Sequence, residues 1–102
     1  MSNKINLTKI MDAVNEKFVS GEKITTKDNR RQRPTINPDH VAMYLVRKIK
    51  NLSLPRIGMG FCRHHTTVIH AIGRVEDMMA ANDEFAARVE SVKVYLEERA
   101  TQ

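Results

Sequence analysis

Residues 53–71 read Ser-Leu-Pro-Arg-Ile-Gly-Met-Gly-Phe-Cys-Arg-His-His-Thr-Thr-Val-Ile-His-Ala. Ser53 suits a helix N-cap, because its hydroxyl can accept a backbone N–H that the helix start leaves unpaired. Pro55 falls in the first turn, where its missing N–H costs nothing. A short helix is expected over residues 54–58, then a turn through Gly58-Met59-Gly60-Phe61-Cys62-Arg63, since two glycines lie within three residues. A longer helix follows. Its opening is polar (Arg63, His64, His65, Thr66, Thr67), and Val68, Ile69 and Ile72 give it an apolar face that packs on the first helix. Helix, turn and second helix with a polar leading end is what reading a duplex groove requires. Thr66 and Thr67 can bond phosphates or bases and offer methyls to thymine, while Arg63, His64 and His65 supply donors. The helix N-terminus itself favours phosphate.

Outward from this segment the apolar spacing stays helical. Upstream, Leu7, Ile10, Met11, Val14 and Phe18 recur at intervals of three and four and predict a first helix over residues 5–18, with Asn6 or Thr8 as its cap and Ser20-Gly21 as its end. Residues 19–37 read as a polar basic loop containing Lys27-Asp28-Asn29-Arg30-Arg31-Gln32-Arg33-Pro34. Asn37-Pro38, an N-cap with proline at the first helical position, starts a support helix over 38–51. Val41, Tyr44, Leu45 and Ile49 form its buried stripe, with Arg47, Lys48 and Lys50 on other faces. Downstream, Val68, Ile69, Ile72, Val75 and Met79 carry the helix-turn-helix unit, residues 53–79, to its end. Phe85, Val89, Val92 and Leu96 mark a last helix over 83–100. Period-2 alternation, repeats and low-complexity tracts are all missing from the sequence. The fold class expected is all-α: one compact bundle of about five helices containing a helix-turn-helix, in 102 residues.

Charge is distributed unevenly. Residues 29–75 carry nine Lys/Arg against Asp39 alone and all four histidines, while residues 76–102 carry three Lys/Arg against seven Asp/Glu. A basic middle beside an acidic end fits a surface aimed at a polyanion, although a solvated basic face would look the same by charge alone. The acidic last helix reads as a solvated outer face. No apolar run nears the ~18 residues a membrane span needs, and Met1-Ser2-Asn3-Lys4 has no signal-peptide character. The single Cys62 fits a reducing cytosol. Cys62, His64, His65 and His70 offer no second ligand pair for zinc, so no metal and no cofactor are expected. Cys62 with His65 lacks an orienting acid, and an enzyme is not expected. His70 reads as a packing histidine.

The segment 53–71 closely resembles the C-terminal DNA-binding domain (domain IV) of the bacterial chromosomal replication initiator DnaA, whose motif runs S-L-P-x-I-G-x-x-F-G-G-R-D-H-T-T-V-x-H-A. Ser53, Leu54, Pro55, Ile57, Gly58, Phe61, Arg63, His65, Thr66, Thr67, Val68, His70 and Ala71 match it. The likeness spans roughly residues 5–100 and implies the helix-turn-helix bundle of that domain and of the Trp repressor. By resemblance, Arg31 is the loop arginine inserted into the minor groove, Leu54 and Pro55 approach bases and backbone, and Arg47 contacts phosphate. Arg63, His65, Thr66 and Thr67 resemble the core of the recognition-helix readout, which in the family targets a nine-base-pair box. Two departures stand out. The family's Gly-Gly is the single Cys62, which shortens the turn by one residue and leaves the direction of Arg63 open. The family's Asp is His64. That Asp can cap the helix and accept hydrogen bonds from base amino groups, and a histidine does both poorly or differently.

The expected function is sequence-specific binding of double-stranded DNA at a site related to that box, by a monomer or weak homodimer. Arg30, Arg33, Arg47, Lys48 and Lys50 contact phosphates in this reading, and Arg56, in the first helix of the unit, joins the DNA-binding set with His64. The chain has no Gly-x-x-x-x-Gly-Lys-Ser/Thr loop, so it would regulate replication initiation or transcription without ATPase activity, in competition with the initiator. A cytoplasmic, nucleoid-associated protein of bacterial or phage origin is implied. The alternative is a helical adaptor whose basic face meets an acidic protein.

Overall fold

Four short-range caps decide where the helices of the computed structural model begin and stop. The model describes residues 7–24 and 35–100. It contains α1 (Leu7–Lys17), α2 (Pro38–Lys50), α3 (Leu54–Phe61), α4 (His65–Ala81) and α5 (Asp83–Ala100). The Asn37 side chain accepts the Asp39 N–H at 3.0 Å, and the Ser53 hydroxyl accepts the Arg56 N–H at 3.4 Å. His64 caps α4, and the Asn82 side-chain oxygen accepts the Phe85 N–H at 2.7 Å to open α5. The chain is therefore an all-α bundle. Among the described residues the one extended pairing is an isolated antiparallel bridge between Lys23 and Thr35.

α2 is the axis. It packs against α1, α3, α4 and α5, and Val41, Ala42, Met43, Tyr44, Leu45 and Val46 are all buried. The expected stripe on one face is thus corrected to burial all round this segment. A helix enclosed by four others has no polar side to spare in its middle, and its ends leave the core, Asp39 and His40 at one and Arg47, Lys48 and Lys50 at the other. Around it α5 buries Phe85, Val89, Val92 and Leu96, and Phe85 meets Phe18 edge-on with ring centroids 5.7 Å apart. Arg88 ties α5 to the end of α1. Its guanidinium donates to both Glu22 carboxylate oxygens (3.2 and 3.0 Å) and to the Lys17 carbonyl, above the Phe18 ring.

The glycine-rich stretch is helix, not turn. α3 continues through Gly58, Met59, Gly60 and Phe61, and the reversal is confined to Cys62, Arg63 and His64. Gly58 serves close approach: a Cβ there would lie 2.5 Å from the Arg63 carbonyl oxygen, whereas one on Gly60 would meet only the movable tip of the Leu7 side chain. Cys62 adopts the left-handed conformation (φ 56°, ψ 43°). The Arg63 N–H donates to the Gly58 carbonyl at 2.8 Å and the Cys62 N–H to the Met59 carbonyl at 3.3 Å, the paired bonds of a Schellman stop.

A side chain in the left-handed region is strained and glycine is not. Cys62→Gly should therefore stabilise the domain by about 0.5–1 kcal/mol, and Gly58→Ala should destabilise it by about 1–3 kcal/mol through the clash with the Arg63 carbonyl. Urea denaturation of both variants checks the pair.

Candidate nucleic-acid interface

The leading turn of α4 stands clear of the core. His64, His65, Thr66 and Thr67 are exposed, and Val68 directly behind them is fully buried. His64 takes the N-cap position: its Nδ1 accepts the Thr66 N–H at 3.3 Å and lies 2.5 Å from the Thr66 hydroxyl. Capping by this residue, expected to be poor or different, is made by the ring nitrogen. The His64 and His65 rings lie 4.5 Å apart with a 32° tilt. On α3, Pro55 and Arg56 are exposed and Leu54 is half-buried, and in the turn Cys62 and Arg63 are exposed. The unit therefore presents the heads of two successive helices, and the apolar side chains beneath hold them at a set angle.

Arg47 does two things at once. Its Nη1 donates to the Leu52 carbonyl at 2.5 Å, clasping the end of α2 to the start of α3. The guanidinium is half-buried, and its other N–H groups remain for a further acceptor. Lys48 stacks its ammonium 5.6 Å from the Tyr44 ring centroid. Arg30, Arg31 and Arg33 lie outside the described residues. The chain on either side of them is pinned: the Gly21 N–H donates to the Ile36 carbonyl at 2.9 Å, and the Ile36 N–H to the Glu22 carbonyl at 2.8 Å.

Two expectations on α4 are corrected. Ile69 is 44% exposed, although its place in an apolar run predicted burial. His70, expected to pack inside, is exposed. The cause is the helix phase: the core side is Val68, Ala71, Val75 and Met78, which turns positions 69 and 70 outward. Thr67, His70 and Arg74 then follow one another at helical spacing along an exposed side.

Sequence reasoning also missed a grouping of His40 with arginines from other elements. Half-buried His40, in the first turn of α2, feels both Arg74 of α4 and Arg63 of the turn. Burial holds its imidazole below the ordinary value, Arg74 and Arg63 push the same way, and only the neighbouring Asp39 opposes them. Arg74 alone was findable, two turns beyond Thr67; the approach of α2 was not. A crevice lined by Asn37, His40 and Arg74 among apolar groups marks the place. His40 and Arg74, from two helices, line it, and both can donate to an anion. On α5, Asp83, Glu84, Glu90, Glu97 and Glu98 are all exposed. Among the described residues no three His, Cys, Asp or Glu side chains converge as a metal site, and no described helix is long and apolar enough to cross a membrane.

Against known proteins, the model of the family "Bacterial dnaA protein helix-turn-helix" matches residues 7–75. The chromosomal replication initiator protein DnaA of Brucella abortus biovar 1 (strain 9-941) is 41% identical over 73 residues, 71% of this chain and 15% of that protein. The protein of the same name from Bartonella quintana (strain Toulouse) is 37% identical over 101 residues, 97% of this chain and 20% of that one. That of Gluconobacter oxydans (strain 621H) is 45% identical over 69 residues, 67% and 14% of the two chains. The chain thus spans between 14% and 20% of the length of these curated relatives.

The depressed His40 value fixes a pH effect. The folded state keeps this imidazole neutral where an unfolded one would take a proton, so the stability it contributes is complete above the ordinary value near 6.5 and is lost as pH falls below it. Urea denaturation should give a falling unfolding free energy from about pH 7.5 to 5.5. His40→Gln should flatten that slope.

Proposed function

The chain belongs to the bacterial DnaA helix-turn-helix family, and from that premise we propose that it binds double-stranded DNA sequence-specifically at a site related to the family's nine-base-pair box. One observation carries the reading: the polar leading turn of α4, His64 to Thr67, is exposed while the next residue is fully buried against α3. Such a turn can enter the major groove only if the helix behind it is held rigidly, and the α3–α4 packing does this. His64, His65, Thr66 and Thr67 meet base edges. Leu54, Pro55 and Arg56 approach the groove edge from α3, beside Arg63.

Affinity comes mainly from phosphates. Arg47, Lys48 and Lys50 close one side of the site, His40 and Arg74 the other, and Arg30 and Arg33 add to it from the loop, with Arg31 in the minor groove. Releasing counterions from so many contacts makes binding strongly salt-dependent. The biological role proposed is regulation of replication initiation or transcription in the cytoplasm, by occupying sites for which an initiator competes. No nucleotide-binding loop lies within these residues, so this binding needs no ATP. The binding unit proposed is a monomer or weak homodimer.

Selection from a random duplex pool tests the reading, with enrichment of one short motif expected. A pool that stays random would sink it, and tight capture of an acidic protein instead would favour the adaptor. With a motif in hand, His65→Ala or Thr67→Ala should cost about 1–3 kcal/mol on the selected site and little on random DNA. Arg47→Ala should weaken all sequences alike and lower the salt slope by about one. It should also cost about 1–2 kcal/mol of stability through the lost bond to the Leu52 carbonyl.

A further inference from the structure

His64 is held by its own helix in one hydrogen-bonding state. A backbone N–H can only donate, so the Nδ1 that faces the Thr66 N–H at 3.3 Å must offer a lone pair. The Thr66 hydroxyl oxygen lies 2.5 Å from the same nitrogen. With Nδ1 engaged as acceptor, the proton of the neutral ring sits on Nε2, on the far side of the imidazole. That N–H has no protein partner to satisfy it in the described structure, because the residue is exposed and its ring neighbour is the face of His65, 4.5 Å away. The free edge of the leading residue of α4 is therefore a donor and cannot accept.

We propose that His64 is a specificity-determining residue that donates from Nε2 to an acceptor-bearing base edge, that of guanine, adenine or thymine, and disfavours cytosine, which presents only an amino group in the major groove. This rests on the DNA-binding reading given above. In the major groove guanine offers two acceptors and cytosine only its amino donor, so a fixed donor separates the two.

Capping and reading can be separated experimentally. Aspartate and asparagine both cap helices well, so His64→Asp and His64→Asn should each fold. Asparagine can cap through its oxygen and still donate through its amide, whereas aspartate can only accept. The full chain and both variants are put through selection on a random duplex pool, with thermal unfolding measured alongside. The unsubstituted chain and His64→Asn should both deplete cytosine at one shared position. His64→Asp should change the preference at that position alone by roughly tenfold, toward cytosine. If all three proteins enrich the same base everywhere, or if the unsubstituted chain enriches cytosine where His64→Asp enriches guanine, the assignment is overturned. A motif enriched by the unsubstituted chain with no response at any position to His64→Asp would leave the DNA-binding reading standing and remove only this one. A pool from which no protein enriches anything overturns both.

Discussion

The hydrogen bond from the Arg63 N–H to the Gly58 carbonyl, 2.8 Å long, closes the turn on which the rest of the molecule depends. It can form only if Cys62 enters the left-handed region and Gly58 carries no Cβ, because the Arg63 carbonyl occupies the space a side chain would need. Once closed, the turn sends the chain back against α3 within three residues. Val68, Ala71, Val75 and Met78 then reach the core at one face of α4, and everything before Val68 must stand outside. The exposed polar turn is thus a consequence of the stop that precedes it. The bond is local, but its effect reaches across the bundle through α2, whose buried middle receives α4 more extensively than any other helix.

That geometry also explains why cations collect where they do. α2 spends its middle on the core, so its chemistry is pushed to its two ends. At the C-terminal end Arg47 meets the chain turning toward α3; at the N-terminal end His40 meets Arg74 and Arg63. Cations at a helix C-terminus are favoured by its dipole, which accounts for Arg47, Lys48 and Lys50 in structural terms. The His40 cluster has no such excuse. Burial, Arg74 and Arg63 all oppose a charge on the imidazole, and Asp39 offsets only part. Holding the imidazole below its ordinary value removes that repulsion, so the positive charge at this edge is that of Arg74 and Arg63.

Much of this was readable from the residues, for reasons that differ from place to place. Asn37-Pro38 and Ser53 announce helix starts because capping is a contact over two or three residues, and both caps form. The spacing of Phe85, Val89, Val92 and Leu96 gives one face of α5, and all of them are buried, because α5 lies on the bundle with one side only. The same logic misjudged α2, where a periodic stripe could not reveal that four helices would enclose it. It misjudged Gly58 because glycine signals either a turn or a close approach, and only the approaching atom, the Arg63 carbonyl oxygen, decides between them. Ile69 and His70 were assigned the wrong sides for want of the phase of α4, which the turn sets. The ion pair of Arg88 with Glu22 and the approach of His40 to Arg74 join residues far apart in the chain, and no local pattern contains them.

The N-cap of α4 shows why one position can carry two demands. The backbone there asks for an acceptor, and a groove asks for whatever complements the base it meets. Serine satisfies the first with its one oxygen and has little reach left for the second. A carboxylate satisfies both only where the base donates. An imidazole splits the tasks between two nitrogens on opposite sides of a rigid ring, so that fixing one as acceptor makes the other a donor. His64 is held in that way by the Thr66 N–H, and the choice of proton position is made by the helix before any ligand arrives. Pre-setting the donor removes the cost of selecting a tautomer on binding, and it makes the polarity of the leading residue a property of the fold.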